Sequence, residues 1–326
     1  MTTLDVHSGL RVDEIAAQCG AVLDAVGTVV VGMRRTLRLG IAAVLAGGHV
    51  LLEDVPGLGK TLMARSLAQA LGLEFRRLQC TPDLLPADVT GSYLYDPTER
   101  EFSFRPGPVF TGLLLADEIN RTPPKTQSAL LEAMQEKQVT VEGHTHVLPR
   151  PFHVLATANP VEYEGTYPLP EAQLDRFLLR LDVGYPSSDE EFEVLRRRLE
   201  RRQEETEVAP VIDAQRLRAL QAGVERVDVD PDVMRYCIDL AAATRAHPAV
   251  EIGASPRGSQ ALLLVARCLA VLDGRTFVLP EDVKECAVSA LAHRLTLRAE
   301  TWSTGTTGVQ VVTELLGTVA GPTSTR

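Results

Sequence analysis

Val50-Leu-Leu-Glu-Asp-Val-Pro-Gly-Leu-Gly-Lys-Thr61 runs an apolar strand into a glycine-rich turn closed by a lysine and a hydroxyl residue. The apolar part is short enough for a buried parallel strand, and the turn's backbone N–H groups then face an anion at the start of the next helix. In that arrangement Lys60 reaches the β- and γ-phosphates of a nucleotide as a point charge, and the Thr61 hydroxyl ligates Mg²⁺. Pro56, Gly57, Leu58, Gly59, Lys60, Thr61 and Leu62 are therefore the candidate contacts to ATP or GTP. One position departs from the pattern G-x-x-x-x-G-K-[ST], because Asp54 stands where the first glycine is expected. Aspartate accepts turn geometry better than most residues, so the turn survives with its carboxylate directed away from the phosphates. By itself the stretch is also compatible with an ordinary strand–turn–helix connection, and the rest of the chain decides.

The 326 residues suffice for two domains, and a hydrophobic content of 45% supports a real core. No run of about 18 uninterrupted apolar residues exists, since Leu39–Leu52 is cut by Gly47, Gly48 and His49. No basic region followed by an apolar stretch opens the chain, so the expectation is a soluble cytoplasmic protein without membrane insertion. Cys19, Cys80, Cys237, Cys268 and Cys286 lack C-x-x-C spacing, which fits reduced, buried thiols better than a disulfide framework or zinc site. A net charge of -10 argues against stable attachment to nucleic acid and favours protein partners.

From about residue 11 to about residue 185, strand-like and helix-like segments alternate, the pattern of a parallel sheet between helices. Five buried strands are predicted at Val50–Glu53, Phe75–Gln79, Gly112–Ala116, His153–Thr157 and Arg180–Val183. Open sheets of this kind bind ligands at the carboxyl ends of their strands. Two hairpins interrupt the pattern, one pairing Tyr93–Tyr95 with Phe102–Phe104, the other Gln138–Val141 with Thr145–Leu148. Both stand where a short loop would suffice, which points to a working role. Beyond residue 185 the strand signal ends. Four helices are predicted there, with Asp230-Pro231, Ser255-Pro256 and Leu279-Pro280 as start signals. The first of them carries the charge run Asp189–Glu205, read as a solvated, self-paired face. A final short helix is expected near Val309–Val319, ahead of a loose end.

Leu113-Leu-Leu-Ala-Asp-Glu118 is an apolar strand ending in two carboxylates. Asp117 suits Mg²⁺ held through its water shell, and Glu118, pointing the other way, suits an attacking water. The next strand ends in Asn159, whose neutral amide can meet the γ-phosphate or that water without adding negative charge. His144 and His146 share one strand face and His153 follows, a spacing that permits chelation, but no cysteine or acid cluster completes a set.

These segments, with Leu169-Pro-Glu-Ala-Gln-Leu-Asp-Arg-Phe177 and Gly253-Ala-Ser-Pro-Arg-Gly258 in that order, resemble the MoxR family of AAA+ ATPases. Asp117-Glu-Ile-Asn-Arg-Thr-Pro-Pro-Lys-Thr-Gln-Ser-Ala-Leu-Leu-Glu-Ala-Met-Gln135 is the most specific part of a resemblance that covers roughly residues 25 to 300. It implies an α/β P-loop NTPase core with a five-stranded parallel sheet over 11–185, hairpin inserts near 91–105 and 138–148, and a small all-α lid over 186–302. Residues 1–10 would then be a flexible N-terminus and 303–326 a tail. Val30, Val31 and Gly32 look like the family's adenine-contacting segment, with Met33 in place of a more usual glutamine. The resemblance assigns Asn159 as the γ-phosphate sensor and Arg176 as an arginine finger acting on a neighbour's ATP; Asp175 or Glu171 could instead pair with it. Arg257 would be the second sensor, serving its own subunit or the next. A hexameric ring, Mg²⁺ and ATP, a protein client and a partner with a von Willebrand factor A domain are implied likewise. A metal-chelatase motor, a nucleic-acid motor and a non-hydrolysing nucleotide-binding scaffold are the alternatives.

Overall fold

Two helices, α1 (Val12–Gly27) and α2 (Arg34–Leu45), lead into strand β1 (Val50–Glu53), and α3 (Lys60–Ala70) begins at the lysine of the glycine-rich turn. The computed structural model describes residues 10–53, 57–159, 166–203 and 206–322, the side chains of 302–304 excepted. The expectations for residues 1–9, Asp54 and Pro56 lie outside that set. There follow β2 (Phe75–Gln79), α4 (Pro86–Thr90), the hairpin β3 (Gly91–Asp96) and β4 (Glu101–Pro106), β5 (Leu113–Asp117) and α5 (Pro124–Glu136). A second hairpin, β6 (Gln138–Val141) and β7 (His144–Val147), precedes β8 (His153–Ala158), the short helix α6 (Glu171–Leu174) and β9 (Leu179–Leu181).

The sheet has the order β2-β5-β8-β1-β9, all parallel, in agreement with the expected five strands. Strands β5, β8 and β9 end a residue or two from the expected bounds, and β2, expected to be buried, is an edge strand with Arg76, Arg77 and Gln79 exposed. Alternate residues of one strand face opposite layers. Leu52, Leu113, Leu115 and Leu155 pack with α1, α2 and α3, whereas Leu51, Leu114, Val154 and Ala156 pack with α5. This two-sided burial is why these strands read as continuous apolar runs. Each such leucine contributes about 1.5–3 kcal/mol.

The first hairpin pairs Tyr93 with Phe104 and Tyr95 with Phe102. The second turns tightly through Glu142 and Gly143, at φ 50° and 81°, so its return strand starts at His144, one residue earlier than expected. The two hairpins meet through aromatic contact, His146 stacking on Phe104 at 3.7 Å with the Tyr93 hydroxyl 3.3 Å from its Nε2. His153 lies elsewhere, buried, its Nδ1 donating to Gly48 O at 3.0 Å, so the three histidines do not gather.

The remaining elements are α7 (Ser188–Arg201), α8 (Ala214–Val224), α9 (Pro231–Ala246), β10 (Val250–Ile252), α10 (Pro256–Leu272), α11 (Pro280–Leu291), β11 (Thr296–Leu297) and α12 (Gly308–Thr318). The three X-Pro starts hold, and the final helix forms. Helix α8 was not expected, because Asp213 caps it without a proline; the ribbon β10–β11 is too short to carry a strand period. On α7 the charge run is self-paired, with Arg196 and Arg197 both on Glu193. Yet Phe192, Leu195 and Leu199 are also exposed there, and Arg197 donates to Gly27 O and Thr28 O at the end of α1. Leu262, Val265 and Leu269 of α10 belong to the same core cluster as α1–α3, so lid and sheet share one hydrophobic interior. All five cysteines are buried, and burial pushes the thiols of Cys19 and Cys237 up to about 12. Among the described residues no helix is long and apolar enough to cross a membrane.

Candidate active site

The parallel order brings the carboxyl ends of β1, β5 and β8 side by side, and each ends at chemistry. Gly57 and Gly59 take left-handed backbone, φ 86° and 79°, letting the turn close onto the start of α3, whose first two residues are Lys60 and Thr61. A Cβ on Gly59 would meet only Met33 Cε, at 3.6 Å, so backbone conformation rather than space demands glycine there.

Gly57, Leu58, Gly59, Lys60, Thr61, Asp117, Glu118 and Asn159 line one cavity of about 250 Å³. It adjoins a larger one of about 730 Å³, lined by Val30, Val31, Gly32, Met33, Leu62 and α7 and sharing Gly57–Gly59. A smaller polar space and a larger, mainly apolar one with ample room for a base thus meet at the glycine-rich turn.

The acid pair is held by contacts that the sequence did not announce. Strand alternation would send Asp117 and Glu118 to opposite sides, but Glu118 adopts φ 60°, ψ 50°, and both line the cavity. Thr157, buried on neighbouring β8, donates to Asp117 Oδ1 at 2.7 Å and accepts from Glu118 N at 2.8 Å. Arg77 pairs with Asp117 Oδ2 at 2.6 Å, and Gln79 Nε2 donates to Glu118 Oε2 at 3.0 Å. Asn120 Nδ2 donates to Asn159 O at 3.1 Å, fixing the backbone of the candidate sensor. The signals were a threonine inside the apolar run of β8 and two polar residues on β2. Their partners became visible only through register, Gln79 standing opposite Asp117.

Arg176 and Arg257 lie elsewhere. Both line a cavity of about 300 Å³ with His49, Lys137, Asp175 and Arg294. Its residues precede β1 and β9, so it sits at the amino ends of the strands, whereas the phosphate turn follows β1. Four residues of β1 alone separate the two by about 13 Å. Asp175, the expected alternative partner of Arg176, is taken by Arg294 at 2.7 Å and by Ser255 Oγ at 3.1 Å. Burial, then the nearby Arg150, lowers the Lys137 ammonium below its ordinary range.

The donor set at the phosphate cavity fits a hard divalent cation, since Thr61 and Asp117 offer a hydroxyl and a carboxylate. Among the described residues no three His, Cys, Asp or Glu side chains gather into a cage. A cation held by these two side chains would need water and ligand oxygens to complete its shell.

Residues 49–179 match the ATPase family associated with various cellular activities, AAA, and residues 242–315 match the AAA lid domain. The chain is 50% identical over 303 residues to the protein YeaC of Bacillus subtilis, covering 93% of this chain and 94% of that one. It is 41% identical over 305 residues to Chaperone MoxR1 of Mycobacterium tuberculosis, covering 90% and 80% respectively. Protein MoxR of Paracoccus denitrificans is 34% identical over 299 residues, covering 84% and 87%. The crystal structure of a presumed ATPase from Cytophaga hutchinsonii superposes with a TM-score of 0.89 at 40% identity, covering 96% and 97% of the two chains.

Proposed function

The chain belongs to the MoxR family of AAA+ ATPases, and from that premise we propose that it hydrolyses ATP to drive chaperone-like remodelling of a protein client. The observation that carries the reading is the gathering of Lys60, Thr61, Asp117, Glu118 and Asn159 around one cavity. Lys60 and the backbone of Gly57–Gly59 bind the phosphates, and the apolar cavity beside Val30–Gly32 takes the adenine. Glu118 orients the attacking water and accepts its proton, while the Asn159 amide supports the γ-phosphate. Thr61 and Asp117 would hold Mg²⁺, which when bound neutralises charge on the phosphate oxygens.

Arg176 and Arg257 supply the remaining positive charge, in our reading to a neighbouring subunit's nucleotide. Their placement at the far ends of the strands from their own phosphate cavity supports this, and Arg176 and Arg257 make no side-chain hydrogen bond or ion pair among the described residues. A fixed, permanently charged guanidinium suits the spreading charge of a transferring phosphoryl group. A site divided between copies requires a heterologous, closing assembly, and the family resemblance suggests a hexamer. The same resemblance suggests a partner with a von Willebrand factor A domain.

Glu118→Gln keeps the shape of the side chain and removes the proton acceptor. The variant is expected to bind ATP as the parent does and to lose turnover by on the order of a hundredfold or more. Unchanged turnover would remove Glu118 from the chemistry.

A further inference from the structure

By chain order the Arg176 loop belongs to the sheet, where Leu178 N donates to His49 O at 2.8 Å, yet it is also bonded to the lid. Arg294 follows α11, is 9% exposed, and aims Nε and Nη2 at residues 175–177, while Nη1 also donates to Ala290 O on α11 and stands 2.8 Å from His293 Nε2. Its Nε donates to Asp175 Oδ1 at 2.7 Å, Nη2 to Phe177 O at 2.7 Å and to Asp175 O at 3.4 Å, and Nη1 to Leu178 O at 3.3 Å. His293 Nε2 stands 3.2 Å from Phe177 O. Ser255, which caps α10 two residues before Arg257, donates through Oγ to the other oxygen of Asp175 at 3.1 Å. Both neighbours of Arg176 in the chain are therefore gripped by the lid, and one grip comes from the cap of the helix that carries Arg257.

Charge fits the same picture. Asp175 is the one carboxylate among the described residues lining this cavity, against Lys137, Arg176, Arg257 and Arg294. Removed from the pair, Arg294 would repel the two unpartnered guanidiniums. A buried ion pair is weak evidence for stability as such, and fixing a geometry is the better-attested use.

We propose that Arg294 is a positioning residue that fastens the Arg176 loop to the lid, so that Arg176 and Arg257 are offered to the neighbouring subunit as one rigid pair. Phe177 is itself buried with Leu51, Leu114 and Val154, so the Arg176 loop joins sheet and lid, and the finger would report across the interface how the two are set. This rests on the reading that the two arginines act in trans.

The test uses the full chain with Arg294→Lys, Arg294→Met and Asp175→Asn, each checked for folding by thermal melting and for assembly by light scattering. Lysine keeps the charge and loses the planar fork, so it separates positioning from simple neutralisation. Expected is a fall in kcat of on the order of tenfold to a hundredfold, with ATP affinity held within about twofold. Mixed with Lys60→Ala, which binds no nucleotide but offers an intact arginine pair, each variant should regain turnover; a defect inside the variant's own nucleotide site would not be rescued. A reference mixture of Arg176→Ala with Lys60→Ala separates the two levels of the claim. Rescue of the reference but of neither Arg294→Lys nor Asp175→Asn overturns the positioning role alone, as does wild-type kcat in both. No rescue in the reference overturns the trans reading beneath it. Should Arg294→Met fail to fold, the other two variants decide.

Discussion

Thr157→Val removes one hydroxyl and keeps the shape of the side chain, at a position 3% exposed between the two acids. The hydroxyl's bond to the ionised Asp117 is worth about 1.5–3 kcal/mol, and leaving the Glu118 N–H without an acceptor costs about 1–3 kcal/mol. Asp117 keeps Arg77 and is partly solvated, which puts the first figure at its low end. Against these losses, Glu118 can relax from φ 60° and recover the strain of a left-handed non-glycine residue, about 1–3 kcal/mol. The net loss of stability should be about 2 kcal/mol, read as a lower urea midpoint at unchanged slope. The functional loss should be larger, because the relaxation that restores stability takes the carboxylate away from the water. Turnover is expected to fall on the order of a hundredfold, with ATP affinity held within about threefold because Lys60 and Thr61 are untouched and Arg77 still holds Asp117. A folded variant with parental kcat would refute the claim that this hydroxyl sets the acid pair.

Gly59→Ala meets no steric obstacle, yet should weaken ATP binding on the order of tenfold by fluorescent-nucleotide titration, since a left-handed alanine costs about 1–2 kcal/mol; parental affinity would contradict the backbone argument. Stability should also fall with pH. Burial lowers His153 to about 4, and His49 and His293 well below the ordinary range, so the folded state holds them neutral. Between the folded and unfolded values the unfolded chain binds more protons. The stabilisation is therefore complete above about pH 6.5 and is lost as pH drops toward 4, with His153 alone accounting for on the order of 3 kcal/mol. Urea midpoints that stay level between about pH 7.5 and about pH 5 would count against this.

Much of the fold was legible because β1, β5 and β8 are buried on both faces, and prolines mark the starts of α9, α10 and α11. The phosphate turn and the acid pair were legible for a related reason: each lies within a few residues of a strand end. What escaped depends on contacts distant in sequence. Arg77 and Gln79 matter only because β2 lies beside β5, and Thr157 because β8 lies on its other side. Arg294 meets Asp175 across 119 residues, so nothing local marks it, and it takes the carboxylate that was the alternative partner of Arg176. Helix α7 hid its exposed apolar residues behind a charge run that is indeed self-paired.

The central claim is that the active site is divided between two copies of the chain. Mixing Lys60→Ala, which lacks the phosphate grip, with Arg176→Ala, which lacks the finger, tests it most directly, with ATP turnover as the readout. Each variant should be inactive alone, and the mixture should recover turnover at interfaces where an intact phosphate cavity meets an intact arginine. A mixture no more active than its parts, although the two variants co-assemble, would contradict the account.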